Sequence, residues 1–173
     1  MDNIGKLIVA GDKELFYLIN RRTNCKILDV FMRNITNLGS VTFNISLIII
    51  FTLLKNLMTD GVGFKLAASL FLNQLLVQST KRIVNRPRPY KALTDSKTIN
   101  PPKCKYSFPS GHTSASFTTA FLLGNLFPLY APSLIVIASL VGISRIYLGV
   151  HYPTDVFVGV FIAYISVLFT ALL

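Results

Sequence analysis

Apolar residues gather into five long runs after residue 40, at residues 41–57, 64–80, 113–127, 133–148 and 156–173, with short polar breaks between them. Runs of this length are near the ~20 residues that the hydrocarbon core of a bilayer demands of a helix, and the shorter ones reach it by tilting or by extending into their flanks. The pattern therefore predicts five membrane-spanning helices. The first forty residues behave differently. The apolar stretches 15–19 and 27–32 alternate there with Lys13, Arg21, Arg22, Lys26 and Arg33. This predicts one or two amphipathic helices at the membrane interface, with Asn24 as the N-cap of the second. The expected fold class is all-α: a polytopic transmembrane helical bundle of five or six spans with amphipathic N-terminal helices. We read 1–173 as a single integral-membrane domain, with 1–40 as its interfacial segment.

Composition supports that reading. Charged residues are 14% of the chain, against roughly 25% in soluble domains. The net charge is +10, from 17 Lys+Arg and 7 Asp+Glu, and nearly all of it precedes residue 106. Basic excess beside membrane spans suits anionic headgroups or phosphate substrates. No nucleic-acid module accompanies it, so no nucleic-acid partner is expected. Asp2, Lys6, Asp12, Lys13 and Glu14 interrupt each early apolar run, so no cleavable signal is expected. Cys25 and Cys104 are too few for a disulfide scaffold and read as two unrelated thiols. No heptad or internal repeat runs through the chain, and nothing in it indicates an oligomeric state.

Against this background, polar residues stand out wherever they cluster. Residues 81–107 carry eight lysines and arginines and several prolines, too polar to cross a bilayer and too proline-rich for a long helix. After Lys105 the formally charged side chains are Arg145 and Asp155 alone, and the chain has two histidines, His112 and His151. Ionisable groups this close to a bilayer are expensive and mark function. Three clusters result: Lys81 to Arg88 and Pro89; Pro109, Ser110, Gly111 and His112; and Ser144, Arg145, His151 and Asp155. The first two share a loop, and two further crossings return the chain to the same membrane face for the third.

Taken singly, each cluster has an ordinary reading. A histidine at a helix start is a cap, Lys81 and Arg88 snorkel to headgroups, Ser110-Gly111 is a turn, and Arg145 pairs with Asp155. Arg82, Arg86, Lys103 and Lys105 read as headgroup-facing charge. Together, two histidines, three cations and one acid on one face point to phosphoryl transfer, which needs fixed cations and donors around the phosphoryl oxygens. Lys81, Arg88 and Arg145 supply the cations, and Ser110 and Gly111 supply a helix N-terminus that favours an anion. Pro153 suits a first helical turn, which puts His151 just before the last span and Asp155 inside its first turn. The carboxylate can then fix the imidazole tautomer and leave the other ring nitrogen free to attack. His112 is the candidate acid for the leaving oxygen.

These three clusters resemble the signature of the type-2 phosphatidic acid phosphatase superfamily, K-x6-R-P, P-S-G-H and S-R-x5-H-x3-D. They match at every signature position between residues 81 and 155. The resemblance implies a membrane helical bundle that removes phosphate from a lipid without a metal ion or other cofactor. It implies a phosphohistidine on His151, oriented by Asp155, with His112 protonating the leaving group and Lys81, Arg88, Ser110, Gly111 and Arg145 holding the phosphate. The compact chain is most similar to the bacterial branch that acts on undecaprenyl pyrophosphate; phosphatidylglycerophosphate or phosphatidic acid phosphatase and a lipid-linked phosphotransferase are the alternatives. A groove near Phe117, Phe121 and Tyr147 is the expected site of the lipid tail.

The resemblance also places the site on the extracytoplasmic side of the cell membrane. Five spans put the basic N-terminal segment on that same face, where the positive-inside rule would place both in the cytoplasm. A sixth crossing built from residues 15–39, with Asp29 and Arg33 paired one turn apart, would reconcile the two.

Overall fold

The computed structural model describes residues 3–21, 25–54, 61–99, 101–102 and 104–171. The expected Asn24 cap, Arg22 and Lys103 lie outside them. Eight α-helices occur among the described residues: α1 (Asn3–Arg21), α2 (Lys26–Ile35), α3 (Val41–Leu53), α4 (Val62–Val84), the single turn α5 (Pro89–Ala92), α6 (Gly111–Leu126), α7 (Ala131–Tyr147) and α8 (Pro153–Thr170). Helices α3, α4, α6, α7 and α8 coincide with the five apolar runs. Two helical segments, Pro128–Tyr147 and Pro153–Ala171, are long and apolar enough to cross a membrane. A third qualifies if Lys26–Gly39 and Val41–Leu53, bent by 51°, are one span. Helix α4 is 23 residues long, about 35 Å at 1.5 Å per residue, but Lys65, Lys81 and Arg82 lower its apolar character.

Helix α6 is the centre of the bundle and packs against α3, α4, α7 and α8. Its sequence explains why: Thr113, Ser114, Ser116, Thr118 and Thr119 are buried, and small hydroxyl residues let helices approach closely and bond across the contact. Asn73 of α4 donates to Ser114 Oγ at 3.2 Å, and Thr119 donates to Asn44 Oδ1 of α3 at 2.8 Å. Ser69 of α4 and Thr170 of α8 share a hydrogen bond of 2.5 Å. The large apolar side chains face outward instead, among them Ile49, Phe71, Phe157, Phe161 and Phe169. A bundle that is polar at its helix contacts and apolar outside is arranged for lipid.

The N-terminal helices pack at one end of this bundle. Asn20 of α1 accepts from the Lys97 N–H at 2.8 Å and donates to the Tyr147 carbonyl at 2.9 Å. Asp29 of α2 takes Lys97 Nζ at 3.1 Å and the Tyr147 hydroxyl at 2.6 Å, so the partners it makes are not the Arg33 expected from spacing. Phe117 and Tyr147 are buried in two separate packed apolar clusters, and Phe121 packs against the first. The groove expected at those three residues is therefore filled core.

Candidate active site

The three polar clusters meet at the end of the bundle where α4 finishes and α6 and α8 begin. Helix α6 opens at Ser110, whose hydroxyl accepts from Thr113 Oγ1 at 2.8 Å, while its N–H donates to the Asp155 carbonyl at 2.9 Å. Ser110 is fully buried, so it caps the helix, and Gly111 and His112 carry the N-terminus to the cavity. The first amides of a helix have no intrahelical carbonyl to bond, which suits them to an anion. Helix α7 ends at Tyr147, and Gly149 takes the left-handed conformation, φ 75°, in which the chain reverses readily only with glycine. His151 follows two residues later, after Val150. Pro153 then starts α8, and Asp155 in its first turn accepts the Tyr152 N–H at 2.8 Å.

One cavity of about 200 Å³ is lined by Lys81, Arg88, Gly111, His112, Arg145 and His151, together with Cys104, Gln78 and Val77. Lys81, Arg88 and Arg145 are all buried, and no carboxylate among the described residues lines the cavity. Buried cations without a counter-charge are costly, so the site is built for an anion. Lys81 Nζ spends one proton on the Tyr106 carbonyl at 3.3 Å. Arg88 Nε donates to the Cys104 carbonyl at 2.8 Å and its Nη1 to the Val150 carbonyl at 2.9 Å. Arg145 Nη1 donates to Thr36 Oγ1 at 2.7 Å, while its Nε is buried with no partner.

Nη1 of Arg88 also lies 3.2 Å from Nε2 of His151. A guanidinium only donates, so Nε2 is the acceptor and the ring proton of the neutral imidazole sits on Nδ1. That nitrogen faces Asp155 Oδ2 at 3.5 Å, longer than a hydrogen bond, and is buried without a hydrogen bond of good geometry. Burial, with Arg145, Arg88 and Lys81 close by, holds the His151 pKa well below the ordinary 6.5. The ring is neutral at neutral pH and its unprotonated nitrogen faces the cavity.

Arg86 departs from its reading as headgroup-facing charge. It is half-buried and bonds Asp155 Oδ1 at 2.8 Å and Asp12 Oδ2 at 2.6 Å. Arg82 and Lys105 are exposed, as expected. Thr36 and Asp12 were not legible as site neighbours, since both come from helices far away in sequence with no motif around them. Cys25 and Cys104 are free, exposed thiols.

Comparison with known proteins decides the family. The PAP2 superfamily model matches residues 62–173. The chain belongs to the PAP2 superfamily. Its backbone is similar to that of LpxE of Aquifex aeolicus, with a TM-score of 0.83 and 34% identity, covering 92% of this chain and 94% of that one. It is also similar to a PAP2-type phosphatidylglycerolphosphate phosphatase of Bacillus subtilis, with a TM-score of 0.81 and 26% identity over 95% of this chain and 85% of that one. An undecaprenyl-diphosphatase of Sulfolobus acidocaldarius is 33% identical over 102 residues, 58% of this chain and 50% of the relative. The chain thus spans about half the length of the curated relatives it matches. These PAP2 likenesses fit an all-helical membrane fold.

Proposed function

We propose that this PAP2 chain is a metal-independent membrane lipid phosphatase working through a phosphohistidine on His151, with a polyprenyl diphosphate such as undecaprenyl pyrophosphate as substrate. The observation that carries the reading is the unprotonated Nε2 of a neutral His151, held by Arg88 beside a cavity lined by three buried cations. The terminal phosphate binds among Lys81, Arg88 and Arg145 and the amides of Gly111 and His112, with Ser110 holding that helix end in place. His151 Nε2 forms a bond to phosphorus as the bond to the bridging oxygen breaks, and that oxygen leaves with the proton of His112. Asp155 holds the Nδ1 proton and stabilises the positive ring. Water then attacks phosphorus, gives its proton to His112, and the P–N bond breaks to release phosphate. Cations lining the site repel a divalent metal, which supports chemistry without one.

Two neighbouring cavities support a diphosphate with a long tail. One, of about 220 Å³, lies across His112 and Arg145 and is lined by Arg33, Thr36 and Asn37, giving a cation and room to a second phosphate. The other, of about 310 Å³, is apolar, runs between α3 and α4 past Ile45, Ile48 and Phe71, and shares Val41, Gln74 and Ala115 with the site.

The proposed topology is five crossings, α3, α4, α6, α7 and α8, in the cell membrane, with the site on the extracytoplasmic face. Asp29 and Thr36 bond Tyr147 and Arg145 at the site end of α7, which supports an interfacial place for α2 over a sixth crossing. Lys81 and Arg88 are buried in the site and Arg86 is bound to two acids, so the loop's charge is a poor topology signal.

The test is phosphate release by purified protein in detergent with EDTA, comparing undecaprenyl pyrophosphate, phosphatidylglycerophosphate and phosphatidic acid, with His151→Ala as control. Preference for the diphosphate, lost in the variant, is the expected result. Preference for a glycerophospholipid overturns the substrate and keeps the chemistry; phosphate ester formed on an added alcohol, with no free phosphate released in its absence, makes it a phosphotransferase; full activity in His151→Ala overturns the mechanism.

A further inference from the structure

Asp155 is gripped from behind by residues that do not touch the cavity. Arg86 Nη1 donates to Asp155 Oδ1 at 2.8 Å and to Thr154 Oγ1 at 2.7 Å, and its Nη2 donates to Asp12 Oδ2 at 2.6 Å. Asp12, in the middle of α1, accepts the Thr154 N–H at 2.9 Å on Oδ1 and the Thr154 hydroxyl at 2.7 Å on Oδ2. The guanidinium lies over the Tyr152 ring, 3.9 Å from its centroid, and Phe16 of α1 packs against the same ring at 5.7 Å. Asp12 and Asp155 are 4% and 0% exposed, so these bonds are sheltered from water and salt.

We infer that Arg86 and Asp12 are positioning residues for the reaction, which hold Asp155 so that its second oxygen points at Nδ1 of His151. The inference rests on the reading of His151 as nucleophile and Asp155 as its orienting partner.

Geometry and charge both require the pair. With Oδ1 fixed by Arg86 and Oδ2 by the Tyr152 N–H, the carboxylate cannot rotate. A 3.5 Å approach to the ring then closes to a hydrogen bond by a small shift when the imidazole becomes positive. Arg86 alone would neutralise Asp155 and leave it little attraction for a positive ring. Asp12 shares the guanidinium, so the trio of two acids and one cation keeps one net negative charge behind the histidine. Outer partners of this kind, one step removed from the reacting group, typically carry 10–100-fold in activity. Asp12 lies outside residues 62–173, the segment that the PAP2 family model matches. Helix α1, by this reading, belongs to the catalytic apparatus and is more than an interfacial belt.

The experiment measures kcat and KM of Arg86→Ala, Arg86→Lys, Asp12→Asn and the double variant Asp12→Asn/Arg86→Ala on undecaprenyl pyrophosphate in detergent micelles. His151→Ala gives the floor, and competitive inhibition by inorganic phosphate reports the cation cavity. We expect kcat to fall about 10–100-fold in Arg86→Ala and about 10-fold in Asp12→Asn, with KM and phosphate inhibition within about twofold of wild type. Arg86→Lys recovers part of the loss, and the double variant is no worse than Arg86→Ala, because both residues act through one carboxylate. If Arg86→Ala does not fold, Arg86→Lys and Asp12→Asn decide. Wild-type kcat in Asp12→Asn and Arg86→Lys, with His151→Ala inactive, overturns the inference and leaves the mechanism standing. A loss that appears in KM and phosphate inhibition instead of kcat also overturns it. Activity retained by His151→Ala removes the reading beneath it.

Discussion

Arg88 and His151 hold each other in the resting site: Nη1 of the arginine stands 3.2 Å from Nε2 of the imidazole. The guanidinium proposed to bind phosphate therefore caps the lone pair of the proposed nucleophile. In the proposed mechanism a phosphoryl oxygen takes over that N–H before Nε2 attacks. Arg88→Lys keeps the charge but loses the fork that serves Cys104, Val150 and His151 together. The expected outcome is a fall of about 10²–10³ in kcat, measured by steady-state phosphate release, with partial retention of phosphate inhibition.

The His151 pKa is lowered, so its acid limb moves down. A ring with a depressed value stays neutral as pH falls past the ordinary 6.5, and attack by Nε2 continues until the lower folded value is reached. The acid limb of kcat/KM attributable to His151 should lie below the usual histidine range. A bound phosphate dianion favours the charged ring, which moves the corresponding limb of kcat upward. A pH profile of both parameters checks this, and an acid limb of kcat/KM at or above 6.5 would count against it. Stability follows the same sign: protonating His151 costs the fold, so the contribution is present above the unfolded value and lost as pH falls through the folded one.

Gly39 lies against the first turn of α6. A Cβ there would stand 2.6 Å from the His112 carbonyl and 2.9 Å from Ser116 Oγ. Gly39→Ala should cost about 1–3 kcal/mol through overpacking and push His112 out of line. A lowered thermal midpoint in detergent, together with reduced kcat, is the expected pair of results.

Ala115 borders both the cation cavity and the apolar cavity between α3 and α4. Ala115→Phe should obstruct the passage between them. We expect KM for undecaprenyl pyrophosphate to rise about tenfold, as for a bulky group placed in an apolar pocket, while hydrolysis of a short, soluble monoester changes little. Equal effects on both substrates would move the tail elsewhere.

Cys25 and Cys104 are exposed and unpaired, and Cys104 is among the residues that line the cavity. With Cys25 replaced by serine, a membrane-impermeant maleimide should label Cys104 in intact cells if the site faces outward. Labelling only after the membrane is opened would reverse the proposed orientation.

Much of this protein was legible in its sequence because its chain is so apolar. In such a chain each polar cluster is an energetic exception, so His112, Arg145, His151 and Asp155 declare themselves without any three-dimensional information. Span count parity then brings the three clusters to one end, where the cavity lies. The helices α3, α4, α6, α7 and α8 follow from the apolar runs, and Pro153 sets the start of α8 and with it the spacing of His151 and Asp155.

Tertiary structure alone decided which charges work for the site. Arg82 and Arg86 are four residues apart in one basic run, yet Arg82 is exposed and Arg86 binds two buried acids. Nothing local distinguishes them, because the partner of Arg86 is Asp12, 74 residues away. Only the docking of α1 beside the start of α8 brings the two together. Ser110 behaves likewise: its motif marks it for phosphate, but packing turns its hydroxyl into a helix cap. The groove expected near Phe117, Phe121 and Tyr147 is filled for the same reason, since Phe117 and Tyr147 are buried in two packed clusters and Phe121 lies against the first. Periodicity and polarity determine where helices form and which ends carry chemistry. Contacts between residues far apart in the chain determine the partner of each charge, and those contacts exist only after the helices pack.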